Sequence, residues 1–261
     1  MNILIVSRPI SPPWNEAGKN IVYGIVNNIM KHRFSLFVSD RKTKFSNKNI
    51  NCNFVRSLSK SKFSSYLEIS NFQRLNIFFH LLKKDPEIDV YHFFFTPHYL
   101  TSLYSRIVSR IKGKKTIQTL TTYSDKEEYN KTLIFADKVT VFSEHRKKQL
   151  EAKGFRNVVK VNIGIDTKKF CPADKDSALR SRFGIKKDEL VVLYAGHYFL
   201  SGVTKNLANI TKLIVSKYPK VKFIFACRKQ SKKDTEHEMF LRKQFKMQGI
   251  LGNIIFLNFF Q

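Results

Sequence analysis

The apolar positions fall into short runs separated by amphipathic stretches. Asn2 to Val6, Phe34 to Val38, Asp89 to Phe95, Lys114 to Leu120, Lys138 to Phe142 and Val158 to Val161 are runs of strand length, with a weaker one near Cys52 to Val55. Helical patterns lie between them. Ile21, Ile25 and Ile29 share a face after Ala17-Gly18-Lys19, and Leu100 to Ile111 reads as a helix. Leu67 to Lys84 carries Phe72, Leu75, Phe79 and Leu82 in one stripe, which predicts a core face rather than a membrane contact. Ser143 is the expected N-cap of the helix that follows Phe142, and Gly154 its stop.

Strands alternating with helices imply a parallel sheet covered on both faces. Asn162-Ile163-Gly164-Ile165-Asp166 breaks the pattern, and it restarts beyond a connector. Leu190 to Ala195, Lys222 to Ala226 and Asn253 to Phe259 read as strands, with helices over Val203 to Lys217 and Thr235 to Gln248. The expected class is α/β with two Rossmann-like domains, the second incomplete at about three strands. Residues 1–165 form the first domain, 166–189 a connector and 190–261 the second.

The length of 261 residues suits two domains, and 43% hydrophobic content with 24 Phe supplies a core. No apolar run approaches the roughly 20 residues that span a bilayer. The opening MNILIV is too short for a signal peptide. Cys52, Cys171 and Cys227 are widely spaced and lack a Cys-x-x-Cys pattern, so they read as reduced, buried thiols of a cytoplasmic protein. Charge changes the picture: Lys+Arg 47 against Asp+Glu 20 leaves +27. Such a surface attracts nucleic acid, acidic lipid or phosphorylated substrates. Between Lys31 and Lys62, Asp40 is the only acid among many bases; this is either a solvated loop face or a surface for anionic headgroups.

Candidate chemistry gathers at predicted strand ends. The stretch SRPISPPWNEAGKN holds Pro9, Pro12 and Pro13, so it is a loop. Gly18 ends it at a helix start, where backbone can approach a ligand and the helix N-terminus favours an anion; the alternative is a plain turn residue. Neither GxGxxG nor GxxxxGK[ST] occurs. His92 lies within a strand and reads as a core residue. His98, beyond Pro97, lies past a strand's carboxyl end, where ligands of open α/β sheets bind.

The order of motifs resembles the retaining family 4 glycosyltransferases of the GT-B fold. The likeness rests on the Pro- and Gly-containing first loop, on Asp89-Val90-Tyr91-His92, on Ala136-Asp137-Lys138-Val139 with Ser143-Glu144, and above all on the hinge VNIGIDTKKFCP. Leu179-Arg180, Gly184-Ile185 and Val192-Leu193-Tyr194-Ala195-Gly196 continue it, so it runs over essentially the whole chain. Where that family has Arg after the strand-end glycine and Lys before the next one, this chain has His197 and Ser201. Where it often has His after the Lys114 to Leu120 strand, this chain has Thr121.

The resemblance implies an acceptor domain first and a nucleotide-sugar domain second, facing a cleft, and a sugar transferred with retention from a nucleoside diphosphate to an acceptor hydroxyl. It implies no cofactor and no metal; Asp174-Lys175-Asp176 sits beside a helix start and reads as a cap. Gly18 and Lys19 would lie near phosphate, and His98 and Thr121 on the acceptor side as the catalytic candidates. Gly196, His197, Gly202 and Lys205 would form the diphosphate cradle. The donor-gripping Glu-x7-Glu segment is expected beyond Gln261, which makes the chain a truncated product or one completed by another polypeptide. The expected partners are a nucleotide-sugar, a lipid-linked or saccharide acceptor and an anionic membrane at the inner face. Two other readings stay open: a non-catalytic fragment or partner subunit, and a basic nucleic-acid binder. The second lacks any RNA-recognition, zinc-finger or helix-turn-helix signature.

Overall fold

The computed structural model describes residues 1–12, 14, 16–56, 71–83, 86–121, 132–168, 170–197, 203–229 and 232–258. Two compact units divide between Phe170 and Cys171. The first contains β1 (Asn2–Val6), α1 (Ala17–Asn28), β2 (Arg33–Val38), β3 (Ile50–Phe54), α2 (Asn71–Leu82) and β4 (Val90–Phe94). It continues with α3 (Tyr99–Lys112), β5 (Lys115–Thr119), β6 (Lys138–Val141), α4 (Glu144–Ala152) and β7 (Val158–Lys160). Its strands form a parallel seven-stranded sheet in the order β3-β2-β1-β4-β5-β6-β7. Ile3 pairs with Phe34 on one side and Val90 on the other, so the order reverses between β1 and β4.

Both faces of this sheet are covered because successive strand residues point to opposite sides. Leu4, Val6, Phe37, Tyr91 and Phe93 pack with Ile77 and Leu81 of α2 and Val108 of α3. Ile5, Leu36, Val38 and Phe94 pack with Val22 and Val26 of α1 on the other side. Burying a side chain such as Phe37 or Phe93 contributes roughly 1.5–3 kcal/mol, and truncating Phe93 to Ala would cost about 3–5 kcal/mol.

Two acids from the sequence motifs hold strand starts in place. Asp89 Oδ2 accepts from the Asn2 N–H at 2.8 Å, tying the entry of β4 to that of β1. Asp137 Oδ2 accepts from the backbone N–H and hydroxyl of Thr116 at 2.8 and 2.9 Å, joining the loop before β6 to β5. Ser143 caps α4 through Arg146 N–H, as its sequence position predicts. Gly154 takes a left-handed φ of 88° just after α4.

The α2 stripe corrects the sequence expectation. Gln73, Ile77 and Leu81 are the buried line, while Phe72, Leu75, Phe79 and Leu82 are exposed. The helix is apolar on most sides, so periodicity alone does not choose its inner face. The i, i+4 line of Ile77 and Leu81 fits against Phe37 and Tyr91 and wins.

The second unit contains α5 (Ser177–Arg182), β8 (Leu190–His197), α6 (Val203–Lys217), β9 (Val221–Arg228), α7 (Lys232–Met247) and β10 (Ile254–Asn258). The strands form a parallel sheet ordered β10-β9-β8. Asp176 caps α5 by accepting from Leu179 N–H at 2.9 Å. Arg180 donates to the carbonyls of Lys186 and Glu189 and so fixes the turn through Gly184 that leads into β8. Phe223, Phe225 and Cys227 of β9 pack against Ala208 and Val215 of α6 and Leu241 and Phe245 of α7. Of the three cysteines expected to be buried only Cys227 is; Cys52 and Cys171 are exposed. Beside them Glu238 is buried, 2.8 Å from both Lys229 Nζ and Arg242 Nε.

Candidate functional site

In a doubly wound sheet the carboxyl edge at the strand-order reversal is where loops from neighbouring strands part and leave a crevice. Here those loops are β1–α1 and β4–α3, with the end of β5 beside them. The β1–α1 loop is pinned from within. Ile10 N–H donates to Phe37 O at 2.7 Å. The fully buried Ser11 accepts at its hydroxyl from the N–H groups of Ser39 and Asp40, at 3.0 and 3.1 Å.

Gly18 and Lys19 stand in the first turn of α1, but that turn already holds an anion. The Glu16 carboxylate accepts from Gly18 N–H at 3.0 Å and from Lys19 N–H at 2.8 Å. A Cβ at Gly18 would come within 2.9 Å of Glu16 Oε1, so glycine permits the close approach. The Lys19 ammonium donates to Ser11 O at 2.7 Å. Burial, opposed by Glu16 and aided by the Arg8 charge, holds the Lys19 amine below its ordinary range. A phosphate reaching this helix start must displace Glu16 or bind beside it. Glu16 and Arg8 are missing from the sequence reading, because glutamate is not among the usual N-cap residues.

On the β4 and β5 side, the Thr96 and Thr121 hydroxyls share a hydrogen bond at 3.0 Å. His98 is exposed at the N-cap position of α3, and its side chain makes no capping bond. Thr121 and His98 thus follow adjacent strands at the same sheet edge, with Thr96 as a further hydroxyl. His92 is set deeper. Its Nε2 lies 2.7 Å from Thr119 Oγ1, which lies 2.6 Å from Thr140 Oγ1. Burial pulls the His92 imidazole down to about 4, so the ring is neutral at neutral pH. It is a bonded interior residue, as its strand position suggests.

In the second unit, Gly196 and His197 do not follow the strand but belong to it. Gly196 pairs with Cys227 and His197 with Arg228, so β8 runs beyond the expected Ala195 end. A Cβ on Gly196 would lie 3.2 Å from the Tyr194 hydroxyl, so the glycine makes room for that ring. The backbone of Lys205 lies in the first turn of α6, and Gly202 lies outside the described residues.

No protein-family model matches the chain, and no curated protein matches it. Solved structures do. HepE of Anabaena, in complex with UDP and glucose, has a TM-score of 0.68 at 16% identity; the match covers 100% of this chain and 70% of that one. A glycosyltransferase of Rickettsia africae has a TM-score of 0.66 at 12% identity, covering 98% and 67%. The chain has the GT-B fold. The N-terminal domain of trehalose-6-phosphate phosphatase from Candida albicans also matches, with a TM-score of 0.64 at 11% identity over 100% and 74%. At these identities the likeness carries the fold, and a GT-B scaffold hosts more than one chemistry.

Proposed function

We propose that the chain is a glycosyltransferase of the retaining family 4 type. It moves a hexose from a nucleoside-diphosphate sugar to a hydroxyl of a lipid-linked or saccharide acceptor, at the cytoplasmic face of an anionic membrane and without a metal. The observation that carries this reading is the GT-B fold shared with HepE, whose structure holds UDP and glucose, and with the Rickettsia glycosyltransferase. The hinge motif and its flanks support it at the level of sequence. Catalysis then requires positive charge and N–H donors aimed at the leaving diphosphate, where they stabilise the charge that develops. Gly196, His197, Gly202 and Lys205 are assigned that task in the second unit; in the first, Gly18 and Lys19 are assigned a phosphate contact. His98 and Thr121 are assigned to the acceptor.

A second reading has its own observation. Leu190, Val191, Val192 and Leu193 of β8 are all exposed, and among the described residues β8 pairs only with β9. An unbroken apolar run suits a parallel strand covered on both faces. On this reading the exposed apolar run of β8 is the face that a partner chain covers, and the chain is a non-catalytic glycosyltransferase-like subunit.

Calorimetry with UDP, UDP-glucose and GDP-mannose tests both readings. The expected result is binding of one nucleotide that His197→Ala with Lys205→Ala weakens about tenfold. Binding of none, together with no transfer to any hydroxyl acceptor, removes the enzyme reading.

A further inference from the structure

Helices α2 and α3 lie side by side on one face of the first unit, touching through Phe78 and Tyr104 with ring centroids 4.9 Å apart. Each shows an apolar line to the outside. On α2 it is Phe72, Leu75, Phe79 and Leu82; on α3 it is Leu100, Leu103, Ile107 and Ile111, which are 49, 46, 39 and 66% exposed. Leu75 and Leu82 flank Phe78 at helical spacing, and Leu100 and Ile107 flank Tyr104 in the same way. The two lines therefore meet along the Phe78–Tyr104 contact and form one surface. With side chains about half exposed it amounts to roughly 600 Å² of apolar area, at the upper end of the largest patches on monomers.

The charged residues on the two helices themselves are of one sign. Neither helix contains an Asp or Glu, while Arg74, Arg106, Arg110 and Lys112 lie on them. Arg106 and Arg110 follow Leu103 at three and seven residues, so they border the α3 line on the side away from α2. They continue into an open groove of about 720 Å³, lined also by Lys114, Lys115 and Arg156. Asp137 is the acid in that wall, and it is already engaged by Thr116.

We infer that the outward face of α2 and α3 docks this chain onto an anionic lipid bilayer. The apolar lines enter the headgroup boundary, and the guanidinium and ammonium groups of the groove take the lipid phosphates. Charge complementarity selects this occupant, because an apolar strip on two helices whose only Asp, Glu, Lys or Arg residues are basic fits an interface that is apolar inside and anionic outside. Nucleic acid would match the cations and leave the strip exposed to water. The inference deepens the membrane part of the proposed function and is independent of the donor chemistry.

Vesicle flotation tests it, with phosphatidylcholine alone and with phosphatidylcholine and phosphatidylglycerol in a roughly two-to-one ratio. The chain is expected to float only with the anionic vesicles. Leu103→Glu with Ile107→Glu, Phe79→Glu alone, and Arg110→Glu with Lys115→Glu should each lower the bound fraction about tenfold. Lys243→Glu with Lys246→Glu on α7 changes the charge equally and should leave most binding intact. Trp14 fluorescence confirms that each variant is folded. Failure of the unaltered chain to float overturns the inference, as does an equal loss in the α7 variant. So does a lipid-free dimer that Leu103→Glu with Ile107→Glu dissolves, or a duplex DNA that displaces vesicles and binds that variant undiminished. UDP binding is measured in parallel. Flotation without UDP binding sinks the donor reading alone, and UDP binding without flotation sinks the docking face alone.

Discussion

His92 makes the stability of the first unit depend on pH in a calculable way. Its imidazole titrates near 4 in the folded chain, against an ordinary value of 6.5. The unfolded chain therefore takes up this proton first as pH falls. The contribution is complete above about 6.5, declines between 6.5 and 4, and is gone below 4. At about 1.4 kcal/mol per pH unit, going from pH 7.5 to 4.5 removes roughly 2.5 kcal/mol. That is a large part of the 5–15 kcal/mol typical of a domain. The assay is urea unfolding followed by Trp14, the single tryptophan, which lies in the first unit with its ring 4.4 Å from Tyr23. His92→Gln removes the titrating ring and keeps an amide that can bond Thr119. Carboxylate titration and the self-repulsion of a basic chain affect both proteins alike, so they drop out of the difference. The unaltered chain should lose about 2–3 kcal/mol more than His92→Gln over this interval. Parallel losses, within about 0.5 kcal/mol, would refute the buried, neutral imidazole.

Three further outcomes follow from the same geometry. Glu16→Ala should cost the first unit about 1 kcal/mol through loss of the α1 cap, and should raise its affinity for inorganic pyrophosphate several-fold by freeing the Gly18 and Lys19 amides; urea melts and calorimetry check the two halves. Glu238→Ala should cost the second unit about 2 kcal/mol, because Lys229 and Arg242 lose a buried acceptor, and slowed hydrogen exchange in α7 should be lost. Donor binding and transfer should be unchanged by EDTA, since the proposed site neutralises the diphosphate with side chains and amides; restoration of activity by magnesium after chelation would sink that part of the mechanism.

What the sequence made legible is what burial imposes on pattern. β1, β4 and β6 are strands covered on both faces, so they read as short runs rich in apolar and β-branched residues, and their observed ends fall within a residue or so of expectation. Ser143 and Asp176 cap helices through short side chains whose geometry is local, and local chemistry can be read from spacing. The two-unit α/β architecture follows from the same signal repeated.

What stayed hidden depends on which of two acceptable partners a group takes. The carboxylate that occupies the α1 start comes from Glu16, whose longer side chain gives no reliable cap signal. β8 runs on through Gly196 and His197 because β9 offers Cys227 and Arg228 as ladder partners, and a pairing partner is not written in the strand itself. The α2 stripe shows the point most clearly. Its stripe and its buried line are both apolar at helical spacing, and only the shape of the sheet beneath decides between them. A helix apolar on most sides leaves its second face to be explained by something outside the core. The arginines and lysines along α3 and its groove are the observation from which an anionic bilayer is proposed for that role.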